Sequence, residues 1–269
     1  FGDMGGQVWR IDLHETSVTS TSKKYKLANL AGDTEATNRR FFYPPSVGMA
    51  DSGTSRFLAV AIGSGYRAHP LNTVIDDHFY LLQDTDVNVG DTTMDSTGTL
   101  LPSSLYNASA NEIGSGITTL SKATSGKHGW YIDLPGSGEK VLSRPLIFNK
   151  QLHFNSYHPV AKSGGAVDVC KPTKSNGKAY VLNLLDATPT SDINEDGKID
   201  VNDRAHALEE NTIPADPQVV FTTAQDKDGD GKPDSGPGDC NNYTDFWSGK
   251  THTAGSCTTV DRTYWDEQQ

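Results

Sequence analysis

The stretch Phe1-Gly-Asp-Met-Gly-Gly-Gln-Val-Trp-Arg-Ile-Asp-Leu13 contains an apolar strand, a turn at Gly5-Gly6 and a second strand that carries Trp9. Paired glycines between two strand-like runs predict a tight hairpin. The same design, with an aromatic second strand ending in Asp, occurs twice more, at 57–65 with 77–84 and at 151–157 with 177–186. These three units decide the fold class, which we predict to be all-β.

A hairpin that repeats with insertions of variable length is typical of a β-propeller, whose blades are four-stranded sheets. Strands that feed the hairpins are predicted at 43–49 and 139–148. About three blade-like units are too few to close a ring. We therefore expect a partial, modified propeller that belongs to a longer chain beginning before Phe1, with a β-sandwich as the structural alternative.

The chain turns often, because its 269 residues include 26 Gly and 13 Pro. The polar stretch 86–126 is interpreted as a loop insertion, and only 202–211 is predicted to be helical. We therefore divide the chain into propeller blades over 1–187, an acidic calcium-loop insertion over 188–240 and a closing segment over 241–269.

The net charge of −11 is concentrated in one segment. Residues 186–245 carry 15 acidic and 4 basic side chains, so the other 209 residues are balanced, with 19 of each sign. Nucleic-acid binding needs clustered Lys and Arg, so we predict that the protein does not bind nucleic acid. The longest strongly apolar run, 57–62, is far shorter than the ~20 residues of a membrane-spanning helix. A concentrated acidic segment suits a cation site, and the alternative is a solvated loop.

The acidic segment contains a loop with the spacing of an EF-hand calcium site. Oxygen-bearing side chains occupy loop positions 1, 3, 5, 9 and 12, and Gly197 stands at position 6, where the chain must turn sharply. A short helix is predicted to follow, as in the EF-hand half-motifs of dockerins, which this loop resembles. The predicted calcium ligands are Asp192, Asn194, Asp196, the Lys198 carbonyl, Asp200 (directly or through water) and Asp203.

A second candidate calcium loop lies further along the chain. It has carboxylates at positions 1, 3, 5 and 9 and Gly231 at position 6, but Pro237 at position 12. It resembles the DxDxDG loops of extracellular repeat proteins, which borrow ligands from elsewhere. Because two loops of like charge need a cation to be ordered, we expect calcium to have a structural role. The predicted ligands are Asp226, Asp228, Asp230 and Asp234.

Cysteine spacing and enzyme motifs give weaker signals. Cys170, Cys240 and Cys257 include no CxxC pair, and both a Cys240–Cys257 disulfide and three unpaired thiols stay open. The Gly-Ser-Gly tripeptides are turn sequences rather than GxSxG nucleophile elbows, and the sequence contains no HExxH and no P-loop. We therefore predict a protein that is not an enzyme and has no catalytic residues.

Four sequence blocks, in order, resemble the PilY family of type IV pilus tip-associated adhesins and biogenesis factors. Residues 1–13 look like the family signature Y-x-G-D-x-x-G-N-x-W-R-x-D-L. Residues 40–84 and 129–157 are similar to the next family blocks, and Arg262-Thr-Tyr-Trp265 is similar to the family's C-terminal Arg-x-x-Trp. The resemblance covers most of the chain, with interruptions at 86–126 and 188–256.

The resemblance implies that the chain is the C-terminal part of a modified β-propeller in a longer exported protein. It implies passage through the periplasm and outer membrane to the pilus tip at the cell surface, and a role in pilus assembly, in countering retraction and in surface attachment. The implied partners are minor pilins of the pilus tip complex, an N-terminal adhesive region of the same parent protein, and a host or abiotic surface.

Two departures from the family pattern limit what the resemblance implies. The family's usual calcium loop immediately precedes the G-D-x-x-G signature, so its calcium-dependent control of retraction does not transfer to loops at 192–203 and 226–234. Gln7 also stands where the family usually has Asn. Two alternative functions stay open. One is a quinoprotein-type propeller dehydrogenase, for which only Trp9 fits a blade motif. The other is a calcium-binding dockerin-like or lectin-like module, against which the second loop lacks a following helix.

Overall fold

The computed structural model describes residues 1–12, 23–52, 56–86, 98–110, 126–159, 175–208, 212–221, 243–245 and 251–252. Over these residues the chain is all-β, as predicted, with strands and two short 3-10 helices. It divides into two compact units, residues 1–217 and 218–269. None of the helices in these ranges is long and apolar enough to cross a membrane.

The first sheet is two-stranded and begins with the quoted hairpin. Strand β1 (Gln7–Asp12) pairs antiparallel with β2 (Lys23–Asn29), with a register shift at Val8/Trp9. The predicted turn is present, because Gly2 bridges Val8 across it and Gly6 adopts φ +75. Strand β2 was not predicted from the sequence.

The second sheet contains the second predicted hairpin. Strands β4 (Arg56–Gly63) and β5 (His78–Asp84) pair antiparallel from Leu58 opposite Asp84 to Gly63 opposite Phe79, which confirms that hairpin. The predicted strand at 43–49 is displaced to 46–51, since the two prolines at 44 and 45 have no N–H to donate. The members are β3 (Ser46–Asp51), β4 (Arg56–Gly63), β5 (His78–Asp84), β6 (Tyr106–Asn107) and β7 (Gly129–Asp133), in the order β3-β4-β5-β7-β6.

The third sheet contains the third predicted hairpin, since β10 (Gln151–Pro159) and β11 (Ser175–Asn183) pair antiparallel along their whole length. The strand predicted over 139–148 is instead two short strands that both pair with β10. Pro145, which cannot donate to a ladder, lies in the break between them. The members are β8 (Lys140–Val141), β9 (Leu146–Phe148), β10 (Gln151–Pro159), β11 (Ser175–Asn183) and β12 (Ala205–Ala207).

Two apolar cores lie on the two faces of the second sheet. Phe57, Ala59 and Ala61 belong to the core that is shared with the third sheet, whereas Val60 and Ile62 belong to the core shared with the first sheet. Because a strand covered on both faces needs apolar residues at every position, β4 is a continuous apolar run. The three sheets therefore stack in chain order within residues 1–217.

Stacked aromatic rings join the second and third sheets. The ring of Phe79 stacks on Phe154 with centroids 3.9 Å apart, and Phe154 stacks on Tyr180 at 4.5 Å. Trp130 is fully buried beside Phe79 and donates its indole N–H to the Leu184 carbonyl at 3.1 Å. Such pairs stabilise a core beyond the burial of their area, so this contact fixes the two sheets face to face.

Two predictions about the irregular segments need correction. In the described part of the helix predicted over 202–211, residues 202–208, helical structure is confined to a 3-10 helix at Val201–Arg204. Residues 205–207 form β12 because they pair with Lys178, Ala179 and Tyr180 of β11, and this tertiary pairing overrides the helical propensity of Ala. The insertion predicted at 86–126 contains a 3-10 helix, Pro102–Ser104, and strand β6, which lies parallel to β7.

The described residues of the second compact unit form a small antiparallel sheet. Its strands are β13 (Val219–Phe221), β14 (Tyr243–Asp245) and β15 (Thr251–His252), in that order. Cys170, Cys240, Cys257 and the ending 262–265 lie outside the described residues. The predicted closing segment over 241–269, like the rest of the proposed domain division, stays a prediction.

Candidate functional site

The predicted calcium loop 192–203 leaves β11 and returns to β12 of the same sheet. Two residues in its turn adopt left-handed backbone, Glu195 at φ +61 and Gly197 at φ +85. This turn brings the Asp192 carboxylate within reach of the backbone N–H groups of Asp196, at 3.2 Å, and Gly197, at 2.9 Å. Gly197 thus makes the sharp turn that the spacing predicted.

Asp203 closes the loop from its far end. One carboxylate oxygen accepts from the N–H groups of Ile193 at 2.9 Å and Asn194 at 3.2 Å, and the other accepts from Asp200 at 2.8 Å. The side chain is buried, and the backbone hydrogen bond from Asp200 is the largest cause that lowers the pKa of its carboxyl. Asp203 is therefore held as an anion that ties the two ends of the loop together.

The closed loop is attached to the core through Arg204. Its buried guanidinium donates to the carbonyls of Ala108 and Ser109, at 2.6 Å each. These carbonyls directly follow β6, so the loop is connected to the second sheet as well as to its own sheet. Charge-assisted bonds of this kind are among the stronger hydrogen bonds, so the C-terminal end of the loop has a fixed position.

The side-chain oxygens of the predicted ligands in this loop accept hydrogen bonds from backbone N–H groups of the same loop. Asn194 accepts from Asp196, Asp196 from Lys198, and Asp200 from Asn202. Across the described ranges, no three acidic, His or Cys side chains are grouped closely enough to hold a metal ion. The donor set of carboxylate, amide and carbonyl oxygens nevertheless matches calcium chemistry. Asp226, Asp228, Asp230 and Asp234 of the second loop lie outside the described residues.

The signature hairpin at the N-terminal end is built around one carboxylate. Asp3 accepts from the backbone N–H groups of Gly5 and Gln7, at 2.9 and 3.0 Å, and from the indole of Trp9 at 2.8 Å. Burial raises the pKa of Asp3, but the hydrogen bonds, led by the one from Trp9, lower it overall. The G-D-x-x-G-x-x-W pattern is therefore a structural device.

Arg10 connects this hairpin to the second sheet through three carboxylates. Its guanidinium lies 2.8 Å from Asp84, 2.8 Å from Asp86 and 3.0 Å from Asp12. Burial opposes the charge on Arg10, but its hydrogen bonds and the three carboxylates raise its pKa overall. Sequence reasoning noted that the strand ends in Asp84 without finding this pairing, since 74 positions separate it from Arg10.

Two buried carboxylates were also missed by sequence reasoning. Asp77 accepts from the Ser64 hydroxyl at 2.6 Å, and burial raises its pKa to about 6. Glu139 accepts from Ser156, Tyr180 and Lys178 at 2.6, 2.7 and 3.0 Å; burial raises its pKa, but these contacts lower it overall. Each partner lies far away in sequence, so only the folded chain shows these sites.

The geometry above defines an all-β protein of stacked, mainly antiparallel sheets with a structured acidic loop that connects β11 and β12. No family model matches the sequence, and no curated protein matches it. Among solved structures, the chain is similar to the crystal structure of the Pseudomonas aeruginosa PilY1 C-terminal domain, with a TM-score of 0.56 and 17% sequence identity. The match covers 82% of this chain and 52% of that chain, so this chain spans about half of the solved one. The resemblance to the PilY family is thereby confirmed as a likeness in fold.

Proposed function

We propose that this chain is part of an exported, type IV pilus-associated protein that is displayed at the pilus tip. There it acts in pilus assembly, in retraction control and in surface adhesion. The observation that carries the proposal is the likeness in fold to the PilY1 C-terminal domain over 82% of the chain. The signature hairpin supports it, because Asp3 and Trp9 contact each other within that motif.

The three stacked sheets are, in this proposal, successive blades of a modified propeller. Strand β4 supports this interpretation, since it packs against a neighbouring sheet on each of its two faces. In the part of the chain that the structure describes, no sheet closes on itself. The propeller architecture is therefore proposed for the longer protein.

We propose that the 192–203 loop binds a calcium ion, which completes the ordering of the loop. The loop already has the required turn at Gly197 and a fixed C-terminal end at Arg204. Asp192, Asn194, Asp196, the Lys198 carbonyl, Asp200 and Asp203 would hold the ion, whose positive charge would offset the excess of carboxylates in this loop. The loop with Asp226, Asp228, Asp230 and Asp234 is proposed to bind a second calcium ion.

The proposed partners are the minor pilins of the tip complex, the N-terminal adhesive region of the parent protein, and a host or abiotic surface. Nucleic acid is not among them, since outside the acidic segment the two signs of charge balance. We propose that the protein performs no catalysis. A quinone-dependent dye-reduction assay on sugars and alcohols tests this, and reproducible turnover would favour the quinoprotein alternative.

Gene deletion with complementation tests the pilus role. We expect the deletion strain to lose surface pili and attachment, and the wild-type gene to restore both. Gly6→Ala should not restore them, because its Cβ would meet Ala31 at 2.5 Å in a left-handed backbone. Gly5→Ala is the matched control, since its Cβ would meet only a carboxylate oxygen of Asp3, at 3.3 Å, and a small side-chain movement relieves that contact. Normal piliation of the deletion strain would overturn the proposal.

Calorimetric calcium titration of the chelator-treated protein tests the metal proposal separately. Extracellular calcium modules bind in the range of about 0.1–1 mM, so weak binding is expected. Two sites are predicted, one removed by Asp196→Ala and the other by Asp230→Ala. Asp33→Ala, at an exposed acidic position elsewhere, should leave both sites intact. The absence of binding heat would overturn the calcium proposal and leave the pilus proposal standing.

A further inference from the structure

Two neighbouring segments build a surface in which arginines and aromatic rings alternate. Residues 40–43 lie beside 65–67, because Phe41 and Gly65 form a parallel bridge and Gly65 donates to the Arg40 carbonyl at 2.8 Å. This register places the Arg40 guanidinium 4.8 Å from the centre of the Tyr66 ring. We call the surface formed by 40–43, 66–67, Leu71 and Val74 the arginine–aromatic surface.

The second arginine of this surface makes a matching pair. Arg67 lies 5.9 Å from the centre of the Tyr43 ring and donates to the Tyr43 hydroxyl. Phe42 packs edge-on against Tyr43 with ring centroids 5.4 Å apart. Each guanidinium is thus oriented by an aromatic ring. Because these side chains are already ordered, less of their conformational entropy is lost when a partner binds.

The surface also exposes apolar side chains that the fold does not cover. Phe42 is 46% exposed, Leu71 is 56% exposed and Val74 is 50% exposed. Phe42 packs on Tyr43, and Leu71 and Val74 lie in the loop that follows Arg67. Exposed large apolar residues together with Tyr and Arg have the composition of protein interfaces, where Tyr and Arg are enriched among the residues that dominate binding.

The loop that carries Leu71 and Val74 is anchored by hydrogen bonds from a buried lysine. The buried ammonium of Lys140 donates to the carbonyls of Pro70 at 3.1 Å and Asn72 at 2.8 Å, and also to the Gly138 carbonyl. The Asn72 side chain accepts from the N–H of Val74 at 2.9 Å. Because a buried lysine is costly unless it is hydrogen-bonded, this anchoring indicates that the loop conformation is fixed before any partner binds.

The charge of the surface identifies the chemistry of the partner. Among the described residues, no carboxylate lies within salt-bridge distance of Arg40 or Arg67, and the acidic group on which the charge of Arg40 acts is the buried Asp77, whereas Arg10 is paired with three carboxylates. Two cations are too few for tight binding along a nucleic-acid backbone, where each phosphate contact adds to affinity. They are enough to pair with one or two carboxylates in a protein interface.

We propose that the arginine–aromatic surface docks an acidic segment of a partner protein. Carboxylates of that segment pair with Arg40 and Arg67, and its aromatic or aliphatic side chains cover Phe42, Leu71 and Val74. The proposal is independent of the pilus role, since it rests only on residues 40–76 and on Lys140 beneath them.

Fluorescence anisotropy with a labelled random copolymer of glutamate and tyrosine tests the proposal on the full chain. We expect binding that weakens with added salt, and a loss of about tenfold or more in affinity for the double variant Arg40→Glu/Arg67→Glu. Leu71→Asp, which leaves both arginines in place, should weaken binding several-fold as a second, independent variant. Arg56→Glu is the matched control, because Arg56 is an exposed arginine outside this surface and should leave the affinity unchanged.

Three results would overturn the proposal. One is the absence of copolymer binding, and another is equal affinity of the wild type and both surface variants. The third is binding of alginate or of single-stranded oligothymidine at least as tight as that of the copolymer, which would make the surface a general polyanion site. Thermal unfolding of each variant, measured alongside, shows whether it retains the fold.

Discussion

The indole of Trp9 donates a hydrogen bond to the carboxylate of Asp3 at 2.8 Å, across the turn of the first hairpin. The same carboxylate accepts from two backbone N–H groups, and Lys26 lies 5.2 Å from the centre of the Trp9 ring. The pair therefore joins the turn, β1 and β2. This explains in physical terms why Asp, Gly and Trp occur at these spacings in the signature.

Replacement of Asp3 by Ala should destabilise the chain. The change removes the acceptor of three hydrogen bonds, and we expect a loss of about 1–3 kcal/mol in the free energy of unfolding. Urea unfolding followed by tryptophan fluorescence measures it. Asp33→Ala, at an exposed position, is the control and should change the free energy little. Equal stabilities of the two variants would show that Asp3 does not organise the hairpin.

Replacement of Gly63 by Ala should also destabilise the chain. A Cβ at this position would overlap the side chain of Val141, which belongs to the facing sheet. Overpacking of this kind costs about 1–3 kcal/mol. Gly48→Ala is the matched control, because its Cβ would lie 3.3 Å from Ile147 of the same facing sheet, where a small shift relieves the contact. Calorimetric melting should therefore give the lower midpoint for Gly63→Ala, and the reverse order would contradict the packing described here.

The hairpins could be predicted from the sequence, because their signal is local. The runs that became β4 and β5 are apolar and bounded by turn residues, and the structure pairs them in register. Strand β2 was not predicted because three of its first four residues, at 23, 24 and 26, are lysines. Its alternation of polar and apolar side chains, which includes the buried Leu27, is too short to be recognised. Local composition favours a helix at 202–211, but residues 205–207 of this range pair with β11 as a strand instead.

The polar interior could not be predicted, because its contacts are not local. Lys178 donates a hydrogen bond to Glu139, 39 positions away in sequence, and Arg204 donates one to the Ala108 carbonyl, 96 positions away. Neither pair has a spacing that sequence patterns would reveal. In the acidic loop the ligand spacing was recognised, but the role of Asp203 as the residue that closes the loop became clear only from its backbone partners.

The Asp77→Asn variant should show a pH-dependent gain in stability. Burial raises the pKa of Asp77 from 3.8 to about 6, so between these values the folded chain holds a proton that the unfolded chain has released. Stability from this group is therefore complete below about pH 4 and is lost as the pH rises through 6. The asparagine variant has no such loss, so its advantage over the wild type should grow by up to about 3 kcal/mol across this window.

The comparison must be made as a difference between variants at each pH. Burial lowers the pKa of His78 to about 4, and this neighbouring group contributes stability in the opposite direction over the same window. Urea unfolding of the wild type and Asp77→Asn at several pH values between 4 and 8 cancels the His78 contribution. A difference that stays constant with pH would contradict a buried Asp77 with a raised pKa.

Asp196→Ala should loosen residues 188–215 without unfolding the sheets. The substitution removes one proposed calcium ligand and the acceptor of the Lys198 N–H, whereas Asp203 and Arg204 still fix the end of the loop. Hydrogen exchange should accelerate in this segment only, and circular dichroism should retain the β signal. Loss of the whole β signal would mean that the loop is integral to the fold.

The pilus association itself is tested most directly by immunogold labelling of pili sheared from the encoding bacterium, with an antibody raised against this chain. We expect label at one end of the pili, and loss of the protein from the sheared fraction when the major pilin is deleted. Recovery of the protein only in the cell body, or in the sheared fraction regardless of pilin, would contradict it.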